Sequence, residues 1–263
     1  MNIGCNNSRW PAPTLLWVLT AALLILTPSD CLPTTIVAIR TPDAVVIAAD
    51  SEGTFKGGNK PQTRNAVKKI FQKDGVLYAI SGIAHDPGRG FDAAADISAS
   101  LGSSGNLQSS AIELKKILYA SLEHLLSRFQ NEDPVLFQDL TRKISKGDRE
   151  ITSVILASFQ NNRPVAIAIS FSGTVTPGKI VIQPTQLACP GDCPNGNLTF
   201  FLGQHKAIDK YIAEKGRQFA MSPEEAVKFM VQLEIGAKTP SVGPPIEVVG
   251  VDRNGIRWLP TTK

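Results

Sequence analysis

The chain has 263 residues, of which 43% are hydrophobic and 19% charged, and its formal net charge is +4. This composition excludes a disordered or low-complexity chain. Lys and Arg residues are scattered. The dense basic stripe with interleaved aromatic residues that is typical of a nucleic-acid groove is therefore missing, and we expect no nucleic-acid partner.

The first 33 residues differ in character from the rest. Residues 15–27 form an uninterrupted run of apolar or weakly polar residues after Arg9. Such a run suits the hydrophobic region of a signal peptide and is short for a membrane span, which needs about 20 residues. We therefore predict that residues 1–33 are a signal peptide or removable pro-segment and that residues 34–263 form one domain. The protein is then secreted or periplasmic, and a retained membrane anchor at 15–27 is the alternative.

The cysteines agree with export. Cys5 and Cys31 lie in the removable segment, whereas Cys189 and Cys193 remain in the domain, in the sequence CPGDC. A tight turn would bring this pair into bonding range, and a disulfide persists in an exported protein. Two free thiols are the alternative, and the pair lacks nearby ligands for a metal site.

The first half of the domain pairs strands and then helices. Alternating apolar runs and turn residues predict two hairpins, and apolar residues at helical spacing predict two helices. The predicted strands are 35–40, 44–49, 67–72 and 76–81, and the predicted helices are 91–101 and 109–130. We expect residues 51–64, rich in Gly, Lys, Asn and Pro, to form a loop, and residues 131–149 to form a loop with a short helix.

The second half repeats this order. The predicted elements are strands at 151–159, 165–171, 179–183 and 198–202, helices at 206–219 and 223–237, and a closing hairpin of 246–251 and 256–259. Hairpins imply antiparallel sheets, and helices in pairs imply outer helical layers. We therefore predict an α+β fold, a four-layer αββα sandwich of two antiparallel sheets between helix layers.

One end of the first hairpin brings a hydroxyl and a carboxylate together. If the turn centres on Pro42, Thr34 lies opposite Asp50. In the second hairpin, strand alternation turns either Lys68 or Lys69 toward apolar neighbours. A buried lysine needs a charged partner or a lowered pKa. Asp50 is the candidate partner.

Three stretches carry a resemblance to a known family: TTIVA at 34–38, VIAADS at 46–51 and VKKI at 67–70, followed by an apolar strand into Ser81-Gly82. They resemble the opening of proteasome β subunits and of related bacterial peptidase rings, which are N-terminal nucleophile hydrolases. The element order is also similar, so the resemblance covers residues 34–259. The opening motif is the more specific part, and the C-terminal half matches mainly in element order.

The resemblance implies a threonine-type endopeptidase that needs no cofactor and no metal. Thr34 would supply the nucleophilic hydroxyl, and its freed α-amine would be the general base. Lys69 would lower the proton affinity of that hydroxyl, and Asp50 would hold Lys69 charged and in place. The backbone N–H of Gly82 would stabilise the oxyanion of the tetrahedral intermediate.

The resemblance also assigns supporting residues and partners. Ser153 and Ser241 sit where the family places two serines near the amine. The substrate would be a peptide or unfolded protein, and the assembly a homo-oligomeric ring. An ATPase partner is not expected, because ATP is scarce outside the cytosol.

Three features depart from the family. Lys238 stands near the position of a supporting aspartate, Pro33 precedes the threonine where glycine is frequent, and an exported segment is unusual. Proline changes the geometry for self-cleavage, so a host peptidase is an alternative means of trimming. Two other functions stay open: an amidase or acylase of the same class acting on a small amide, and a non-catalytic scaffold. A Ser-His-Asp triad built on His85 and Asp86 lacks a serine nucleophile elbow.

Overall fold

A computed structural model of the chain describes residues 30–32, 34–57, 60–64, 67–101, 106–193, 198–216 and 221–261. The predicted signal region at 15–27 lies outside these ranges. Among the helices within them, none combines the length and the apolar character needed to cross a membrane.

The strands, in chain order, are β1 (Asp30–Leu32), β2 (Thr35–Arg40), β3 (Ala44–Asp50), β4 (Gly53–Gly57), β5 (Lys60–Arg64), β6 (Ile70–Lys73), β7 (Val76–Asp86), β8 (Phe91–Asp92), β9 (Glu150–Gln160), β10 (Arg163–Thr176), β11 (Lys179–Cys189), β12 (Leu198–Gly203), β13 (Ile246–Asp252) and β14 (Gly255–Trp258). The helices are α1 (Ala93–Leu101), α2 (Leu107–Glu132), α3 (Pro134–Ser145), α4 (Lys206–Lys215) and α5 (Pro223–Gly236).

Within the described ranges the strands form two antiparallel sheets. Sheet A has the order β11-β10-β9-β7-β1-β4-β5, with β6 and β8 also paired to β7. Sheet B has the order β12-β2-β3-β13-β14. Most neighbours along the chain are joined by hairpins, which is why the pairing is antiparallel throughout.

Three apolar cores separate the four layers. One core lies between α1, α2 and α3 and the outer face of sheet A, and it contains Leu118, Leu122 and Phe171. A second core fills the space between the sheets, and a third packs α4 and α5 onto sheet B. Strand residues alternate between two apolar faces, so both sheets are covered on both sides. The predicted αββα sandwich is confirmed.

The register of the first hairpin differs from the prediction by one residue. Ile36 pairs with Ala49, so Thr35, and not Thr34, comes level with Asp50. The turn is closed by the Thr41 N–H, which donates to the Ala44 carbonyl at 2.8 Å. The turn therefore contains residues 41–44, one residue more than the turn at 41–43 that would be centred on Pro42.

The other differences lie mainly at the edges of sheet A. Residues 51–64, predicted as a loop, contain β4 and β5, and β11 continues past residue 183 to Cys189. β5 and β11 are the two end strands of sheet A. An edge strand tolerates Pro and polar residues, as at Pro61 and Pro184, so its sequence resembles that of a loop. The short helix expected within 131–149 is α3, which has 12 residues. α4 ends at Lys215, and residues 217–219 of the predicted helix lie outside the described residues.

Cys189 and Cys193 form a disulfide at the end of β11. Both residues are buried and belong to the core between the two sheets. The bond closes the short turn that the sequence predicted.

Candidate active site

Thr34 lies directly before β2 and is fully buried. Its carbonyl accepts a hydrogen bond from the Gln204 N–H at 2.7 Å. Its Oγ1 is also buried, and within the described part of the chain this atom has no hydrogen-bond partner. Leaving a buried hydroxyl unpaired costs about 1–3 kcal/mol, so such a group calls for an explanation beyond packing.

The end of β12 holds the backbone around Thr34. The Thr35 hydroxyl donates to the Gln204 carbonyl at 2.7 Å, so both backbone groups of Gln204 bond this segment. Gly203 has a φ of +77°, and a Cβ atom on it would lie 1.9 Å from the Thr34 carbonyl oxygen. Only glycine allows the two backbones to approach this closely.

Asp50, the last residue of β3, is buried and receives four donors. Its Oδ1 accepts from the Thr35 N–H and from Lys69 Nζ, both at 2.8 Å. Its Oδ2 accepts from the N–H groups of Glu52 at 3.1 Å and Gly243 at 3.2 Å. The carboxylate therefore links the start of β2, the end of β3, the lysine and the segment before β13.

The side chains of Lys69 and Asp50 form an ion pair that is 0% exposed on both sides. Burial lowers the pKa of the Lys69 ammonium, while the charge of Asp50 opposes that shift, aided by the more remote carboxylates of Glu52 and Glu247. Burial likewise raises the pKa of the Asp50 carboxyl, against the charge of Lys69 and the hydrogen bonds from Lys69, Thr35 and Gly243. Removing one partner of such a pair typically costs about 3–5 kcal/mol.

A cavity of about 80 Å³ opens beside Thr34. Gly82 lines this cavity. Its φ is +83°, and a Cβ atom there would lie 2.3 Å from the Ile151 carbonyl oxygen. The structure thus brings Gly82 and Thr34 to one space, as an oxyanion donor and a nucleophile require. The lining residues are Thr34, Gly82, Ile83, Leu140, Lys143, Asp148, Glu150, Ile151, Gly203 and Gln204.

The two predicted serines lie outside that lining. Ser153 is buried in β9 between Ser81 and Ser170 on the neighbouring strands, and its hydroxyl donates to Ser170 Oγ at 3.0 Å. Ser241 has a φ of +62° and lies in the connection from α5 to β13, two residues before Gly243. Their support of the amine stays a prediction, as do the catalytic roles of the other four residues.

Glu150 is a cavity residue that the sequence did not indicate. Its carboxylate accepts a short hydrogen bond from the Ser81 hydroxyl and another from the Gly203 N–H at 3.2 Å. It therefore ties β7 and β9 of sheet A to β12 of sheet B beside Thr34. The only signal in the sequence was an acidic residue next to a predicted strand, which is a common arrangement.

The chain before Thr34 also runs past the cavity. β1 lies between β7 and β4, with Leu32 level with Gly82 and Cys31 level with Ile83. Residues 30–32 are therefore extended and paired with β7, and Asp30 and Cys31 are also paired with β4 on the other edge.

The structure offers His85 and Asp86 other partners. Asp86 is buried and accepts from the Arg89 guanidinium at 2.8 Å, and His85 Nδ1 lies 3.6 Å from Asp92 Oδ2. In the described part of the chain, no group of three or more His, Cys, Asp or Glu side chains is arranged to hold a metal ion.

Comparison with known proteins gives one informative result. No protein-family model matches the sequence, and neither does any curated protein. Among solved structures, the fold matches a Gly-1 mutant of Anbu from Hyphomicrobium sp. strain MC1 with a TM-score of 0.51 and 17% sequence identity. The match covers 87% of this chain and 86% of that chain, and it shows a shared fold.

Gly203 provides a test of the close packing around Thr34. We expect Gly203→Ala to lower the free energy of unfolding by about 1–3 kcal/mol more than Gly178→Ala, because only the first substitution adds a clash. Gly178 is a matched control, since its φ is +78° and no atom lies within 4 Å of a Cβ built on it. Urea unfolding of both variants measures the difference. Equal losses would show that the contact with Thr34 is loose.

Proposed function

We propose that this chain is a threonine-type peptidase that hydrolyses peptide amide bonds with Thr34 as its nucleophile, once residues 1–33 have been removed. The observation that carries the proposal is the buried Thr34 hydroxyl, which has no hydrogen-bond partner among the described residues and lies one residue before the backbone that bonds the enclosed Lys69–Asp50 ion pair. Most buried hydroxyls in proteins are hydrogen-bonded. Here the next residue is anchored to the same carboxylate that holds the lysine.

The reaction needs a base, a tuned hydroxyl and an oxyanion donor. Cleavage before Thr34 frees an α-amine with a reference pKa of about 7.7–8.0, which suits a general base near neutral pH. The amine takes the hydroxyl proton as Oγ1 attacks the substrate carbonyl, and the charge of Lys69 favours the developing alkoxide. The Gly82 N–H stabilises the oxyanion. The peptide fragment that carries the new amino group departs with that proton and leaves the other fragment as an ester on Thr34 Oγ1. Water then hydrolyses this ester.

The position of β1 suggests how a substrate binds. When residues 1–33 leave, the edges of β7 and β4 that β1 covered become available to another extended chain. Backbone pairing of this kind recognises peptides largely independently of sequence. We therefore propose an extended peptide or an unfolded protein as the substrate.

Localisation and assembly complete the proposal. Export to the periplasm or the medium follows from the composition of residues 15–27 and agrees with the Cys189–Cys193 disulfide. Trimming by a host peptidase would remove the need for self-cleavage at Pro33. A homo-oligomeric ring is the assembly that the resemblance to proteasome β subunits implies, and the native mass of the mature protein tests it.

A second function within the same class is supported by the size of the cavity. With β1 in place the cavity measures about 80 Å³, far below the roughly 300–1,000 Å³ of an ordinary ligand pocket, and a small acyl group would fill that space. The alternative is therefore an amidase or acylase acting on a small amide through the same Thr34 chemistry. Turnover of fluorogenic peptides compared with that of simple acyl amides separates the two functions.

The identity of the nucleophile has a direct test. N-terminal sequencing of the mature protein should begin at Thr34, and a β-lactone or epoxyketone probe should label that residue. We expect Thr34→Ala to abolish labelling, because the attacking hydroxyl is gone. Thr185→Ala is the control, because Thr185 is exposed on β11. This variant should be labelled at Thr34 to the same extent as the wild-type protein. A different N-terminus would remove the α-amine base and favour a non-catalytic scaffold, whereas labelling that persists in the Thr34→Ala variant would contradict the assignment of Thr34 as the nucleophile.

The ion pair predicts a pH dependence. Because burial lowers the pKa of Lys69, its charge should be lost below the ordinary lysine value of 10.5 as pH rises, and kcat/KM should fall with it. Asp50→Asn removes the charge that most strongly raises that pKa, so the alkaline limb should move to lower pH. Glu247→Gln removes a weaker contribution and should move the limb less. An alkaline limb that stays in place in Asp50→Asn would rule out Lys69 as its source.

A further inference from the structure

A second buried carboxylate, that of Glu234, lies near the C-terminal end of α5. Glu234 is 0% exposed. Its Oε1 accepts from the N–H groups of Ala207 at 2.6 Å and Ile208 at 2.9 Å. Its Oε2 accepts a short hydrogen bond from the Thr239 hydroxyl. Placing a charge inside a protein is costly unless its hydrogen bonds are made, and here they come from two separate segments.

These two segments lead to the candidate active site. Ala207 and Ile208 open α4, directly after the loop that contains Gln204. Thr239 lies in the connection from α5 to β13, which also contains Gly243. Residues 203–208 run from the end of β12 into the first turn of α4, and we name them the β12–α4 loop. We name residues 237–245 the α5–β13 loop.

Each loop holds a different part of the site. The β12–α4 loop holds the nucleophile segment, since the Gln204 N–H donates to the Thr34 carbonyl. The α5–β13 loop holds the carboxylate, because the Gly243 N–H donates to Asp50 Oδ2 and its carbonyl accepts from the Ser51 N–H at 3.1 Å. The Glu234 carboxylate bonds to both loops.

We infer that Glu234 is a positioning residue, which fixes the two loops to each other and thereby sets Thr34 in place relative to the Lys69–Asp50 pair. This inference rests on the proposed function. It also bears on the departure at Lys238, where the family resemblance places a carboxylate. Glu234 precedes Lys238 by one helical turn and supplies a carboxylate to the connection in which Lys238 lies.

The test compares Glu234→Gln with Glu225→Gln in the same helix. Glu225 belongs to the capping box at the opposite end of α5, so the control removes a hydrogen-bonded carboxylate away from both loops. An amide is a weaker acceptor than a carboxylate and cannot accept through its nitrogen, so Glu234→Gln loosens the contacts to the loops while keeping the volume of the side chain.

Two readouts decide the inference. Hydrogen exchange should be faster by about tenfold at the amides of Gln204 and Gly243 in Glu234→Gln, and unchanged in β2 and β3. With a fluorogenic peptide, kcat should fall about tenfold to a hundredfold while KM stays within about twofold, because misplacement affects the chemical step more than binding. Glu225→Gln should change neither readout.

The outcomes separate this inference from the proposed function. Unchanged exchange in both loops would overturn the positioning role, and so would a uniform rise across the whole domain, which would make Glu234 a general stabiliser. If the wild-type protein has no hydrolase activity, the proposed function fails and the exchange readout still decides whether Glu234 fixes the loops. If Glu234→Gln does not fold, Thr239→Val removes one contact only, and it should speed exchange in the α5–β13 loop.

Discussion

Four hydrogen-bond donors converge on the buried carboxylate of Asp50, and the arrangement around Thr34 depends on this convergence. A charge inside a protein must have its hydrogen bonds made, so the segments that supply the donors have little freedom to move. Thr35 is one donor, which fixes the backbone beside the candidate nucleophile. Lys69 is another, and without Asp50 its own buried charge would lack a close counter-ion.

The sequence predicted the sandwich because most strands and helices in it show clear apolar periodicity. Strands covered on both faces and helices with one buried stripe leave that signal. β5 and the second half of β11 lack this apolar periodicity, because edge strands need few apolar residues and tolerate proline, as at Pro61 and Pro184. What the sequence missed in the fold was therefore concentrated where backbone pairing, rather than side-chain burial, defines the strand.

The candidate site was predictable where its members are close along the chain. Thr34, Asp50 and Lys69 lie in or directly before the strands of two consecutive hairpins, and the register of the first hairpin differs from the prediction because one hydrogen bond in the turn shifts it. Their catalytic roles stay predictions. Glu150 lines the cavity from a segment far along the chain, and Glu234 contacts the two loops rather than the site itself. A single acidic residue beside a strand or inside a helix carries no recognisable pattern. Contacts made by backbone groups, such as those of Gln204, leave no trace in side-chain identity.

Because β1 is part of sheet A, removal of residues 1–33 would also change that sheet. β1 is the one strand that connects β7 to β4 in the hydrogen-bonded order of the described residues, so the β4–β5 hairpin joins the sheet through it. Proteolysis after Pro33 would consequently interrupt the sheet as well as creating a new chain terminus. The precursor and the mature chain would differ in the freedom of a whole hairpin, and under the proposed function a peptide that replaced β1 would restore the continuous sheet while it stayed bound.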